Sequence, residues 1–213
     1  MIPSPWASAL ATAIASIPHR PYGYAGTGVT QRLTWGGKIL LWPDQCSYCS
    51  GAVFEAVVLA LQALGMEKVL TADEIKAWRR WCYILDLAKV PEQCGGGAAG
   101  MVKMGWADPV ALDDCQPGDV AHAQWHPLTK PASGHEIILL DSARPEGVWT
   151  WSSNTKRPKE RFAGSPGNPF VQPADFPLKV GHQWYRFTFD PEWRFHIARP
   201  KPEWLAQGGV AVV

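Results

Sequence analysis

The sequence predicts an α+β fold, with helices in the first half and an antiparallel sheet in the second. Three observations carry that prediction. Apolar residues recur at helical spacing through Val53, Ala56, Val57, Ala60, Leu61 and Leu64. A capping-box pair, Thr71 and Glu74, opens another helical stretch. From Gly118 onward the chain turns to short β-branched or aromatic runs bounded by Pro, Gly or Asp. At 213 residues the chain suits a single domain, 1–213, whose core needs neither disulfides nor a metal.

Ser4 followed by Pro5 pairs an N-cap with a proline at the first helical position, so a helix is expected to about Ser16. Residues Ile17 to Gln45 are rich in Gly, Pro, Tyr and Trp and read as loop with one short strand at most. The second helix starts at Cys49 and ends near Gly65, a residue suited to a C-terminal cap. The third runs from the Thr71 box to about Lys89, before Pro91. Cys94 to Gly100 is glycine-rich and is expected as loop. Strands are expected over Gly118–Trp125, His135–Ser142, Val148–Ser153, His182–Phe189 and Trp193–Arg199. Residues 155–180 carry five prolines and little periodicity, the pattern of a long functional loop or flap.

Composition narrows the function. Twenty Lys and Arg nearly cancel nineteen Asp and Glu, and no basic run occurs, so nucleic acid is not an expected partner. The most apolar run, Ala52 to Met66, is interrupted by Glu55 and Gln62 and is too short to span a membrane. Met1 to Ile17 has no basic residue before its apolar stretch and two early prolines, a poor secretion signal. Twelve tryptophans, several in the β half, are expected mainly to fill and cover the sheet. Exposed indoles would instead suit sugar rings or peptide side chains. Trp149 and Trp151 alternate with Thr150, which places both on one, buried, side.

Two segments carry chemistry. Gln45-Cys46-Ser47-Tyr48-Cys49-Ser50-Gly51 leads straight into the second helix. A cysteine there sits at the positive end of the helix dipole, where thiolate is favoured and free N–H groups can hold an oxyanion. Gly134-His135-Glu136-Ile137-Ile138-Leu139-Leu140 places a histidine at the start of an apolar strand. A strand-end histidine beside a helix-borne cysteine is the arrangement a thiol hydrolase needs.

Pro21-Tyr22-Gly23-Tyr24-Ala25-Gly26, Cys49-Ser50-Gly51-Ala52-Val53, Pro117-Gly118-Asp119-Val120 and His135 before its aliphatic strand occur in that order. This succession resembles the NlpC-type papain-like cysteine peptidases, with the CHAP amidases as close relatives, over residues 10 to 155. The resemblance implies a papain-like fold with N-terminal helices packed on an antiparallel sheet. It implies a cysteine hydrolase acting on amide bonds of bacterial cell-wall (peptidoglycan) peptides, with no cofactor and no metal. A cell-wall target in turn implies a secreted, delivered or phage-borne protein. Carried over, Cys49 is the nucleophile and His135 the general base, while Tyr22 and Ser50 position substrate or support the oxyanion. Departures from the family pattern are Tyr48 for an aspartate, Ala25 for a glycine and Glu136 for a valine. The third catalytic group falls on the next strand, where Asn154 is the first choice for orienting the imidazole and Ser152 the second.

Other assignments remain open. Cys46, after Gln45, competes with Cys49 for the nucleophile, although Ser-Gly and the helical pattern follow Cys49. The spacing Cys46-x-x-Cys49 also suits a zinc site or a redox pair, but Cys82, Cys94 and Cys115 offer no second close pair. His122, in the strand after Pro-Gly-Asp, is the other histidine placed to face the cleft, whereas His19, His126, His182 and His196 read as ordinary structural or surface residues. The same thiol chemistry would also serve an acyltransferase, and a degenerate copy of the fold would only bind a glycan or a partner.

Overall fold

The computed structural model describes residues 4–23, 26–82, 95–124, 134–141, 148–154, 181–187 and 194–209. Its elements are α1 (Pro5–Ser16), β1 (Leu33–Trp35), β2 (Lys38–Leu41), α2 (Cys49–Ala63), α3 (Ala72–Cys82) and α4 (Gly96–Lys103). They continue with β3 (Ala107–Val110), β4 (Val120–Gln124), β5 (Gly134–Leu139), β6 (Val148–Asn154), β7 (Gly181–Phe187), β8 (Arg194–Pro200) and α5 (Pro202–Leu205). The class is α+β. Its larger sheet has six strands in the order β3-β8-β4-β5-β6-β7, each pairing antiparallel with its neighbour.

Local chemistry explains most boundaries. Ser4 Oγ accepts from Ala7 N at 3.1 Å and starts α1. At α3, Thr71 N donates to Glu74 Oε2 at 2.7 Å, and Glu74 N donates back to Thr71 Oγ1 at 3.3 Å, closing the capping box. Described helix ends at Cys82, so the expected extension to Lys89 lies outside the described residues, as does the 155–180 segment.

Three elements differ from expectation. The 17–45 stretch contains a hairpin, β1–β2, because Gly36 (φ +53°) and Gly37 (φ +76°) supply the two left-handed residues of a tight turn. Gly96 to Gly100, within the Cys94–Gly100 stretch expected as loop, belong to α4, where packing outweighs the weak helix propensity of glycine. Strand β3 contains Pro109 and lies at the sheet edge, the one place where a strand tolerates the missing donor.

Both faces of the sheet are covered. The principal core joins α1–α4 to Val120, Ile138, Leu140, Trp151 and Ala198. A smaller core gathers Cys115, Ala121, Ala123, Ile137, Leu139, Val148 and Ile197 on the opposite face. Tryptophans 6, 35, 78, 106, 151 and 204 are buried, and Trp149 packs partly buried on the principal core, whereas Trp42 is 61% exposed. Trp149 and Trp151 do share that face, but Thr150 behind them is buried as well. Among the described residues no helix is long and apolar enough to cross a membrane.

Candidate functional site

Helix α2 places Cys49 at its first residue, against the sheet. Tyr48 is the N-cap, and its hydroxyl donates to Thr27 O at 2.9 Å. Where the resemblance would have an aspartate, this chain therefore carries a buried strut between the 26–28 loop and the helix start. Gly51 lets the helix lie on that loop, since a Cβ there would sit 2.6 Å from the carbonyl carbon of Gly28. Glu55, one turn further along, is buried and accepts from Thr30 N, Thr30 Oγ1 and Gln31 N at 2.7, 2.9 and 3.2 Å.

The segment around Tyr22 runs parallel to the residues preceding the helix. Ser47 N donates to Pro21 O and Gly23 N to Ser47 O, both at 2.9 Å. Ser153 Oγ on β6 donates to the same Ser47 carbonyl at 3.2 Å. Tyr22, Cys46, Cys49 and Ser50 are thus gathered at the end of α2, beside the end of β6. Asn154 is the last residue of that strand and pairs with Gly181, and its side chain lies outside what the structure describes.

The gap between β5 and β6 shapes the site. Their pairing extends over Ile138↔Trp151 and Leu139↔Thr150 and stops short of Glu136. The backbone of Glu136 therefore has other partners. Its carbonyl accepts from Ser152 Oγ at 2.6 Å, and its backbone lies close enough to the Cys49 thiol to favour the charged form. Ser152, the second choice for a third catalytic group, is buried and spends its hydroxyl on this strand contact.

The alternation of β5 separates its two ionisable residues. His135 shares a face with Ile137 and Leu139 of the smaller core, opposite Ala123. Glu136 shares the helix face with Ile138. Burial pushes the Cys49 thiol up to about 11, with the Glu136 carboxylate acting in the same direction. Burial also pushes His135 down to about 3, assisted by His122. Both groups are therefore neutral at pH 7.

A second constellation was not singled out by the sequence reading. His196 on β8, His122 on β4 and Glu136 on β5 stand directly opposite one another in register. His122 Nδ1 lies 3.1 Å from Glu136 Oε1, and Gly97 N donates to the same oxygen at 2.6 Å. The glycine run makes this possible. A Cβ on Gly95 would lie 2.7 Å from the His196 ring, and one on Gly96 would collide with Glu136 Oε1. A Cβ on Gly97 would lie 2.8 Å from Cys82 Sγ and 3.6 Å from Glu136 Oε2. That second oxygen is buried and, among the described residues, has no hydrogen-bond partner. Cys82, also buried, is pushed well up, first by burial and then by Glu136. Two signals for this cluster stand in the sequence: three consecutive glycines, and a glutamate inside an otherwise apolar strand.

Among the described residues Cys46, Cys49, Cys82 and Cys115 form no disulfide. Nor, among them, do three or more His, Cys, Asp or Glu side chains converge to hold a metal ion. Comparison with protein-family models, curated proteins and solved structures finds no match for this chain.

Proposed function

We propose that this chain is a thiol hydrolase of papain-like, NlpC-type architecture that cleaves an amide bond in bacterial cell-wall peptides, with Cys49 as nucleophile. The observation that supports it most is the placement of Cys49 at the first residue of a 15-residue helix, against the mouth of the β5–β6 gap. Free N–H groups of the first helical turn are available there for a developing oxyanion. Cys49 Sγ would attack the amide carbonyl, the thiol proton would pass to a base, and the same base would protonate the leaving amine. Water would then release the acyl group from sulfur. Because the buried Cys49 thiol is neutral at pH 7, proton transfer accompanies attack instead of preceding it.

The test is release of new amino groups from peptidoglycan fragments by the purified protein. Cys49→Ala, with Cys46 intact, should abolish release, and surviving activity would move the nucleophile to Cys46. Product analysis in the presence of an added amine separates hydrolysis from acyl transfer. One observation favours a second reading, a non-catalytic domain that only binds a glycan or partner. Burial shifts Cys49 up and His135 down, the opposite of what a thiolate–imidazolium pair requires. Fragment binding without turnover would establish that reading.

A further inference from the structure

We propose that the groove between α4 and the ends of β3 and β8 binds a medium-chain fatty acid, with the alkyl chain along the groove and the carboxylate on Lys103. None of the lining residues belongs to α2 or to the loops that hold its start, so the inference does not depend on the hydrolase reading. The cavity measures about 620 Å³, within the range of small-molecule sites, about 300–1,000 Å³. Its space comes from the sequence of α4, which opens Gly-Gly-Ala-Ala-Gly, so that Ala98 and Ala99 present only methyl groups to it. Strand β3 pairs with β8 from Ala107↔Pro200 to Val110↔Ile197 and, among the described residues, no farther, which leaves the groove open beside Phe195 and His196. Trp81 forms another wall and lies directly on α4, since a Cβ on Gly100 would sit 2.6 Å from the Trp81 Cβ. The His196 imidazole packs on Gly95, where a Cβ would lie 2.7 Å from the ring, and marks one end of the groove. Lys103, in the last turn of α4, marks the other. From residue 95 to residue 103 the helix rises about 12 Å, a length that an extended medium-chain acid matches.

Charge complementarity selects the ligand. Apart from His196 and Lys103, every lining side chain is apolar, which suits an alkyl chain leaving water. No carboxylate lines the groove; Asp108, Asp113 and Asp114 line a separate cavity with Arg199. Lys103 is exposed, and among the described residues its ammonium has no ion-pair partner. A lone cation at the end of an apolar groove complements a molecule with a negative head and an apolar body. Because that cation stays at the wet rim, it selects the head group, while the walls supply most of the affinity. A free acid fits better than the alternatives. An anionic membrane surface takes a cluster of about four to eight Lys or Arg, and this groove has one. A protein partner needs an interface of about 800 Å² per side, yet among the described residues the exposed large hydrophobics are Ile39 and Trp42, neither of which borders the groove.

The experiment is calorimetric titration of octanoate and of octanol into the wild type, Lys103→Glu, Ala99→Phe and Cys49→Ala. The wild type should bind one octanoate per chain with a Kd of about 1 mM or tighter. Lys103→Glu should weaken octanoate at least about fivefold and change octanol less than about twofold, since the alcohol carries no charge. Ala99→Phe puts a ring into the groove and should weaken both ligands at least about tenfold. Cys49→Ala should bind both as the wild type does. Absence of octanoate binding overturns the proposal, as does equal octanoate affinity in the wild type and Lys103→Glu. Binding that survives in Ala99→Phe, or is lost in Cys49→Ala, overturns it equally, because the ligand would then sit elsewhere. Binding of phosphatidylglycerol vesicles without binding of free octanoate would make the groove a membrane contact and refute the free acid. Lys103 is exposed, so its charge reversal leaves the core intact; if Ala99→Phe does not fold, Val102→Phe, at another half-buried lining position, takes its place. None of these titrations involves turnover, so amine release from peptidoglycan fragments stands or falls separately.

Discussion

Acidification is expected to destabilise this fold through His135. The imidazole is 3% exposed, and burial pushes it from its ordinary 6.5 down to about 3. In the unfolded chain it binds a proton below its ordinary value, while in the folded chain it does not until about 3. The unfolded state therefore holds more protons across that window, and stability falls as pH falls through it. At about 1.4 kcal/mol per unit, the contribution present at pH 7 and lost by pH 3 is on the order of 5 kcal/mol. That is comparable to the whole stability of a marginal domain, about 5–15 kcal/mol. Urea denaturation from pH 7 to 3 in the wild type and in His135→Gln isolates this part, because the other acidic groups titrate alike in both. The stability difference between the two should move by several kcal/mol in favour of the variant as pH falls. Parallel curves would refute the burial argument and place His135 in contact with solvent.

Cys49 should show the opposite limb. Its thiol is raised from the ordinary 9.0 to about 11, so stability conferred by the buried thiol is present below pH 9 and lost on the way to pH 11. A loss of about 2–3 kcal/mol relative to Cys49→Ala in alkaline urea titrations would show it, and equal pH dependence would contradict it. Glu55→Ala removes the acceptor for Thr30 N, Thr30 Oγ1 and Gln31 N, and should cost about 3–5 kcal/mol by urea denaturation, with Glu55→Gln costing less. Gly96→Ala forces a side chain into a residue at φ +59° and against Glu136 Oε1. A loss of about 2 kcal/mol or more in thermal melts is expected, and a change below about 0.5 kcal/mol would show that α4 can retreat from β5.

The readable and unreadable parts of this protein divide along a physical line. Local chemistry sufficed for α1, α2 and the start of α3, because the Ser4 cap, the apolar spacing from Val53 to Leu64 and the Thr71–Glu74 pair act within a few turns of the chain. The five strand regions were legible for the same reason, since short β-branched or aromatic runs bounded by Pro, Gly or Asp need no knowledge of partners. The sequence also placed Tyr22, Cys46, Cys49 and Ser50 in one neighbourhood through a resemblance of ordered motifs. Helix α4 was not legible, because three glycines read locally as loop and only packing on the sheet makes them helical. The face assignment of β5 was not legible either. In a strand buried on both sides, apolar residues occupy both faces, so His-Glu-Ile-Ile-Leu-Leu does not say whether His135 or Glu136 meets the helices. Register decides that, through His122↔Glu136 on one side and the gap opposite Ser153 on the other. The sequence by itself determined that a cysteine would stand at a helix start beside a sheet. Only the tertiary structure decided which ionisable residue of β5 faces the helices, because a shift of one residue along a strand exchanges its two faces.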